Sequence, residues 1–568
     1  MVLVNESSKI LRTILRSNSS VSNCARRSFG IEKQCFRSYV GRYSYSTSSN
    51  ISKLKSEPFV EFGKVLEKRT CEAKRSILVQ VHSKLSCVQL TDYCSTYGQV
   101  LNLLHYQLPN MNNFIIVEYE RETSVDNLIA SSTHFDKHQI IPIRSQFLWF
   151  KENLKEKKNR NPSPKALENL PLSISQELLP PDPNRMYSML NSANDIPDQM
   201  MKLFDTLCLD EIGIRMRFLT AQQIQRSLAG LFPAAKALPY GSTVNSYGKR
   251  GCDLDIHVQL DHSTVDEDCN GRLVFHAKST LATSRAQQQR SVDLLGDLVQ
   301  LLLPGCNHVR KILNARVPIL RYKQELTGTE CDISVTNMSG VYMSELLYIY
   351  GSFDWRVRPL VFTIRFWAQS MNLTSTSPGA WITNFSLTLL VLFFLQQQNI
   401  LPPLTRLYKL ARPEDKCLVD NVNCSFLRDI SELQKNFSSN KSDLSKLLIG
   451  FFEYYSRFDF NNHAISLGIG KPIPKQEFSA LHLVNPLETH LNVSKNVSLQ
   501  ELEKIKEECV HALLYLKADN HVYEKENGDV WGLLHLFNFS SKTKHSRSNR
   551  RHNNRLIAVT DIFKEEIN

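Results

Sequence analysis

Leu238-Pro239-Tyr240-Gly241-Ser242-Thr243-Val244-Asn245-Ser246-Tyr247-Gly248, followed four residues later by Asp253-Leu254-Asp255-Ile256-His257-Val258, is the most informative stretch of this chain. Ala235 to Pro239 delivers the chain to a Gly-Ser turn that opens a short helix. A helix that starts on small residues leaves backbone N–H groups free for phosphate oxygens, and the Ser242 hydroxyl adds a donor. Asp253 and Asp255 fall on an expected strand. Alternation puts Leu254 and Ile256 on one face and both carboxylates on the other. Two adjacent carboxylates repel each other and persist together only with cations. Oxygen ligands of this kind suit magnesium or manganese.

A third carboxylate completes the set. Asp332 sits in Glu330-Cys331-Asp332-Ile333-Ser334-Val335, a second strand-like run. Three carboxylates fit a two-metal scheme in which one ion activates a hydroxyl and both steady a transferring phosphoryl group. A lone Gly-Ser is uninformative, and Asp-x-Asp alone is common on turns. Their combination, with Ser242 placed 11 residues before Asp253 and a third Asp in an apolar strand, is specific.

This constellation resembles the DNA polymerase β-like nucleotidyltransferase superfamily, in its poly(A)/poly(U) RNA polymerase branch. The stretch 354–368, Asp-Trp-Arg-Val-Arg-Pro-Leu-Val-Phe-Thr-Ile-Arg-Phe-Trp-Ala, resembles the branch's helix after the third carboxylate. The stretch beginning Trp381-Ile382-Thr383-Asn384-Phe385-Ser386 resembles its nucleotide-binding helix, and Asn485-Pro486-Leu487-Glu488 with Leu491-Asn492-Val493-Ser494 its late motif near the base. The resemblance covers roughly 195–515, and two of its segments are most similar to the branch's mitochondrial members.

The resemblance implies an α+β fold: a polymerase β-like palm over 191–345, a helical central and PAP-associated region over 346–517, and an N-terminal RNA-recognition-motif-like α/β module over 70–140. It implies roles by matching position. Asp253, Asp255 and Asp332 hold two Mg2+ or Mn2+ ions, and Gly241 and Ser242 meet the triphosphate. Arg365 contacts phosphate, whereas Gln369 stands where relatives often carry a second basic residue, so phosphate binding leans elsewhere. Thr383 and Asn384 contact phosphate and ribose, and Phe385 stacks on the base, although on residue type alone Phe385 reads as core. Asn337 reaches the sugar, while Met343 replaces a ribose-binding Asn of some relatives. Uridine-adding relatives use a histidine where this chain has Leu491, with His490 one residue earlier. The expected reaction is therefore adenylation of single-stranded RNA 3′ ends from ATP. A uridylyltransferase is the alternative enzyme, and an inactive RNA-binding scaffold the alternative of another class.

In the front module, Ile77–Val81 and Phe114–Tyr119 read as two central strands. Phe114 and Tyr119 take aromatic positions of the motif, but Ile116 replaces the middle aromatic, which favours packing or homodimerisation over RNA reading. Charge clusters and prolines mark 150–190 as a linker.

The chain has 568 residues, a formal net charge of +12 and a 42 % apolar fraction. That length calls for several domains. The first 50 residues carry eight basic groups against Glu6 and Glu32, and 541–556 carry six with no acid, so the body between is close to neutral. Residues 1–45 suit a transit peptide to the mitochondrial matrix, the alternative being a basic arm. The tail 518–568 contains a basic run, 541–555, suited either to RNA phosphates or to solubility. Thirteen cysteines without CxxC spacing argue against zinc and disulfides. Phe385–Leu395, the longest apolar run, is about half the roughly 20 residues that span a bilayer, so no membrane span is expected.

Overall fold

The computed structural model describes residues 58–133, 143–151, 170–174, 178–260, 284–437, 440–518 and 530–537. The expected transit segment 1–45 and the basic run at 541–555 lie outside the described residues. Two five-stranded sheets, two small two-stranded sheets and a helical layer make up the described chain.

The first sheet follows helix α1 (Phe62–Lys74) and comprises β1 (Ser76–Val81), β2 (Val100–Gln107), β3 (Asn113–Tyr119), β4 (Phe147–Trp149) and β5 (Leu172–Ile174), in the order β4-β1-β3-β2-β5. β3 is antiparallel to β1 and β2, whereas β4 runs parallel to β1 and β5 parallel to β2. Helices α2 (Cys87–Ser95) and α3 (Glu122–Ser131) cover one face, over Val79, Leu103, Val117 and Tyr119. The other face, with Leu78, Tyr106, Phe114 and Ile116, is covered by Ile212, Met216 and Leu219. Alternation thus sends Phe114 and Tyr119 to opposite faces, and both are buried. Neither aromatic is open to a base. Strand β5 falls within the stretch read as a linker.

The three residues covering the second face belong to α6 (Glu211–Leu228), which follows α4 (Pro183–Asn191) and α5 (Ile196–Leu207). Asp210 caps α6 by accepting from the Gly213 amide at 2.8 Å, and Glu211 and Arg226 suit its dipole. At its far end Ala221, Ile224 and Leu228 enter the core of the second sheet.

That second sheet is the palm: β6 (Lys236–Tyr240), β7 (Leu254–Gln259), β8 (Cys306–Ile312), β9 (Ile319–Gln324) and β10 (Thr329–Ser334), ordered β6-β7-β10-β9-β8. Only β7 and β10 are parallel neighbours. Leu254, Ile256, Val258, Leu320, Cys331 and Ile333 point to the core shared with α6 and α7 (Ser284–Leu302).

Beyond β10 come α8 (Met338–Phe353), α9 (Val357–Ser370), α10 (Asn384–Gln397), α11 (Leu444–Arg457) and α12 (Leu499–Ala518). α10 is buried from Ser386 to Gln396, as an all-round apolar helix must be. α4 and α5 pack into the same helical core, with Phe204 edge-on to Phe362. Among the described residues, no helix is long and apolar enough to cross a membrane.

Candidate active site

Strand register assembles the carboxylates. Tyr240 pairs with Asp255, Asp255 with Asp332, and Asp332 with Arg321, so one row of residues crosses four strands. Asp253 sits immediately before β7. Ligand oxygens of Asp253, Asp255 and Asp332 all lie within 4.8 Å of one another. Burial and then the charges of Asp253 and Asp332 push the Asp255 carboxyl up to about 8. Burial on its inner side and then Asp332 also raise Asp253, although that side chain is open to solvent on its outer edge. Three acids held together against their own repulsion form a donor set for hard divalent cations.

Gly241 is tied to this cluster by space. Its φ of +68° lies in the left-handed region, and a Cβ would overlap the Asp255 carboxylate. The Gly241 amide donates to Ser344 Oγ at 2.7 Å, which anchors the turn on α8. The short helix at the Gly-Ser turn is a single 3-10 turn, Gly241–Thr243. The Ser242 hydroxyl is buried and has no hydrogen-bond partner. An orphaned hydroxyl beside a carboxylate cluster suits a ligand oxygen. Asn337, at the start of α8, donates to the Tyr240 hydroxyl at 3.1 Å.

Arg365, on α9, donates to the Tyr247 carbonyl at 2.8 Å and so holds the loop between the Gly-Ser turn and Asp253. Thr383 caps α10 by accepting from the Ser386 amide at 3.1 Å. Thr383 and Asn384 are exposed there, and Phe385 is half-buried against the helical core. Ser386 Oγ reaches the Val493 carbonyl at 3.4 Å, joining the start of α10 to the late motif. Leu491 is half-buried in that motif, whereas His490 is exposed. Arg316 of the palm pairs with Glu488 at 2.8 Å and closes the motif onto the sheet.

Two residues that the sequence analysis passed over act on the carboxylates. Arg321 grips Asp332 with both arms, at 2.7 and 2.6 Å, and fixes its orientation. Buried Arg217 donates to the Gly213 and Cys252 carbonyls and pins the loop just before Asp253. The available signal was a lone arginine on an otherwise apolar helix face, which must find acceptors.

Comparisons with known proteins agree with this geometry. A family model described as the central palm domain of mitochondrial-like poly(A) RNA polymerase matches residues 196–352. The Cid1 family poly A polymerase model matches 443–500, and the RL domain model matches 61–133. The chain is 41 % identical to the mitochondrial poly(A) RNA polymerase of Drosophila melanogaster, covering 94 % of this chain and 88 % of that one. It is 35 % identical to the Homo sapiens protein of the same name, covering 90 % and 86 %. A crystal structure of mtPAP in complex with ATPγS, 33 % identical, superposes with a TM-score of 0.76 over 84 % of this chain and 99 % of that one. The front module, read from sequence as RNA-recognition-motif-like, is therefore an RL domain with two parallel edge strands, and with likeness of this extent the whole chain belongs to the mitochondrial poly(A) RNA polymerase family.

Proposed function

We propose that this chain is a mitochondrial polynucleotide adenylyltransferase that adds AMP from ATP to single-stranded RNA 3′ ends and releases pyrophosphate. One observation carries the reading: three register-matched carboxylates beside a left-handed Gly-Ser turn, in a chain of this family. Residues 1–45 serve as the import signal in this reading.

The donor set fits two magnesium or manganese ions held by Asp253, Asp255 and Asp332. Bound there, such ions supply Lewis-acid charge that makes a 3′-hydroxyl more acidic and steadies the leaving pyrophosphate. The chain's own groups do the rest. Arg321 keeps the Asp332 carboxylate aimed at the site. Gly241 lets the turn approach Asp255, and Ser242 offers its unpartnered hydroxyl to a phosphate oxygen. Arg365 adds positive charge for the triphosphate. Asn337, whose amide donates to the Tyr240 hydroxyl, is assigned to the sugar. At the start of α10, Thr383 and Asn384 offer polar groups for phosphate and ribose, and Phe385 a ring for the base. Half-buried Leu491 supports adenine over uracil, because a uracil reader needs a polar partner, and the nearby His490 is exposed.

The RL module is proposed as a homodimer contact over residues 70–140. Its support is burial of both motif aromatics inside the module, which leaves stacking on RNA without a surface. The test of the reaction is primer extension by protein lacking residues 1–45. A labelled single-stranded RNA is offered each NTP separately with magnesium or manganese. Long products with ATP alone are expected, and preference for UTP would overturn the assignment of Leu491.

A further inference from the structure

One turn after Arg365 on α9, this chain carries the neutral Gln369, and Lys249 reaches it through space. Lys249 Nζ donates to Gln369 Oε1 at 3.3 Å from the loop that joins the Gly-Ser turn to Asp253. Arg365 is bonded to the same loop at the Tyr247 carbonyl. Two cations therefore converge beside the carboxylate site, and both have neutral acceptors. Among the described residues neither makes an ion pair, and Asp253, a candidate metal ligand, is the carboxylate whose field reaches both. Burial and then the Arg365 charge hold the Lys249 ammonium below the usual lysine range. Like charges gathered in a partly desolvated place are unfavourable until an anion joins them.

The loop that carries Lys249 is built to hold it there. The Leu209 amide donates to the Gly248 carbonyl at 2.9 Å, and the Arg250 amide to the Leu207 carbonyl at 2.8 Å, so the backbone is clamped on both sides of Lys249. Gly248 lies against the Gly-Ser turn so closely that a Cβ would sit 2.5 Å from the Ser242 carbonyl oxygen. Ser246, a non-glycine residue, has a φ of 70°. Such strain costs on the order of 1 kcal/mol and persists only where the surroundings enforce it. The Ser242 hydroxyl next to this loop has no partner within the protein.

We propose that Lys249 supplies the second phosphate-binding cation of this enzyme, acting with Arg365 and Ser242 on the triphosphate of the incoming ATP. The proposal rests on the adenylyltransferase reading of the same site. In this chain the loop carries the cation, and Gln369 on the helix accepts its hydrogen bond.

The test uses Lys249→Met, which keeps the stem and removes the charge, in the protein lacking residues 1–45. KM for ATP in primer extension and the inhibition constant of inorganic tripolyphosphate should rise together by about 10- to 100-fold, as for one lost charge-assisted hydrogen bond. Inhibition by AMP should stay unchanged. Adding Gln369→Lys to Lys249→Met returns a cation to the helix and should restore most of the tripolyphosphate affinity. Unchanged constants in Lys249→Met, or an equal loss for AMP and tripolyphosphate, would overturn the proposal. Independently of any variant, tripolyphosphate but not AMP should protect Lys249 of the unsubstituted protein from amine acetylation, and absence of protection would also overturn it. If that protein extends no RNA yet shows the protection, the reaction is misassigned while the anion site stands.

Discussion

The two five-stranded sheets both lean on α6, yet they have opposite characters. In the RL sheet both faces are covered, and its aromatics Tyr106 and Phe114 stack on each other at 5.3 Å between ring centroids, beneath a helix from the palm. In the palm sheet one face is packed and the other carries a row of ionisable groups from Tyr240 through Asp255 and Asp332 to Arg321. A covered sheet gains stability from each side chain. The palm gives up stability where its carboxylates meet, and chemistry becomes possible at that place.

The sharpest way to break this contrast is Asp255→Asn. RNA extension should fall by at least ~10³-fold, the loss expected when several kcal/mol of metal-ion stabilisation disappear. Stability should move the other way. The folded Asp255 carboxyl, raised to about 8, lies above its unfolded value near 4, so its contribution is full below about 4 and is lost as pH rises towards 8. Metal-free protein should therefore melt at progressively lower temperature between those pH values. Asp255→Asn should flatten that slope, and a slope that stays unchanged would show that Asp255 is not strained.

A middle-sized effect belongs to the junction. Arg215, on α6, bonds Glu118 of β3 at 2.8 Å and lies 3.4 Å from Glu72 of α1. Burial alone would raise the Glu118 carboxyl, but Arg215, Asn102 and Arg75 together hold it below its ordinary value. Arg215→Ala should cost about 3 kcal/mol, at the low end for a broken buried pair because Arg75 and Asn102 remain. Denaturant unfolding measures it, and a cost under about 1 kcal/mol would mean that the junction is held by its apolar contacts and its other polar links, such as Arg69–Glu211, rather than by Arg215.

The smallest effect is the most discriminating for the RL sheet. Phe114→Leu should cost roughly 1 kcal/mol as a buried volume change. RNA affinity and its salt dependence should stay unchanged. A several-fold loss of RNA affinity at constant stability would return this sheet to the class of RNA readers.

Sequence made the palm legible because its key features are local. Period-two alternation separates Asp255 from Leu254 and Ile256 whatever the partner strands are, and Gly241 and Ser242 sit at a fixed distance from the pair. The cover over Phe114 was not legible, since it comes from Met216 and Leu219, about 100 residues further on. Arg321 was missed because its grip on Asp332 depends on strand register. Strand β5 was missed because three residues within a proline-rich stretch carry too little pattern.

Helix α6 bears Ile212, Met216 and Leu219 towards one sheet and Ala221, Ile224 and Leu228 towards the other. The strands of the RL sheet precede it in the chain, and those of the palm follow it. Neither apolar face is sealed until this one segment has formed and docked on both, so its contacts span long stretches of sequence and slow the search. Once docked, it cannot leave one sheet without baring the other. The amides of 216–224 should then be among the last to exchange with deuterium, opening only when the whole body unfolds. For a newly made chain, folding the RL half early leaves an unmet hydrophobic surface, a hazard that lasts until residue 228 has emerged.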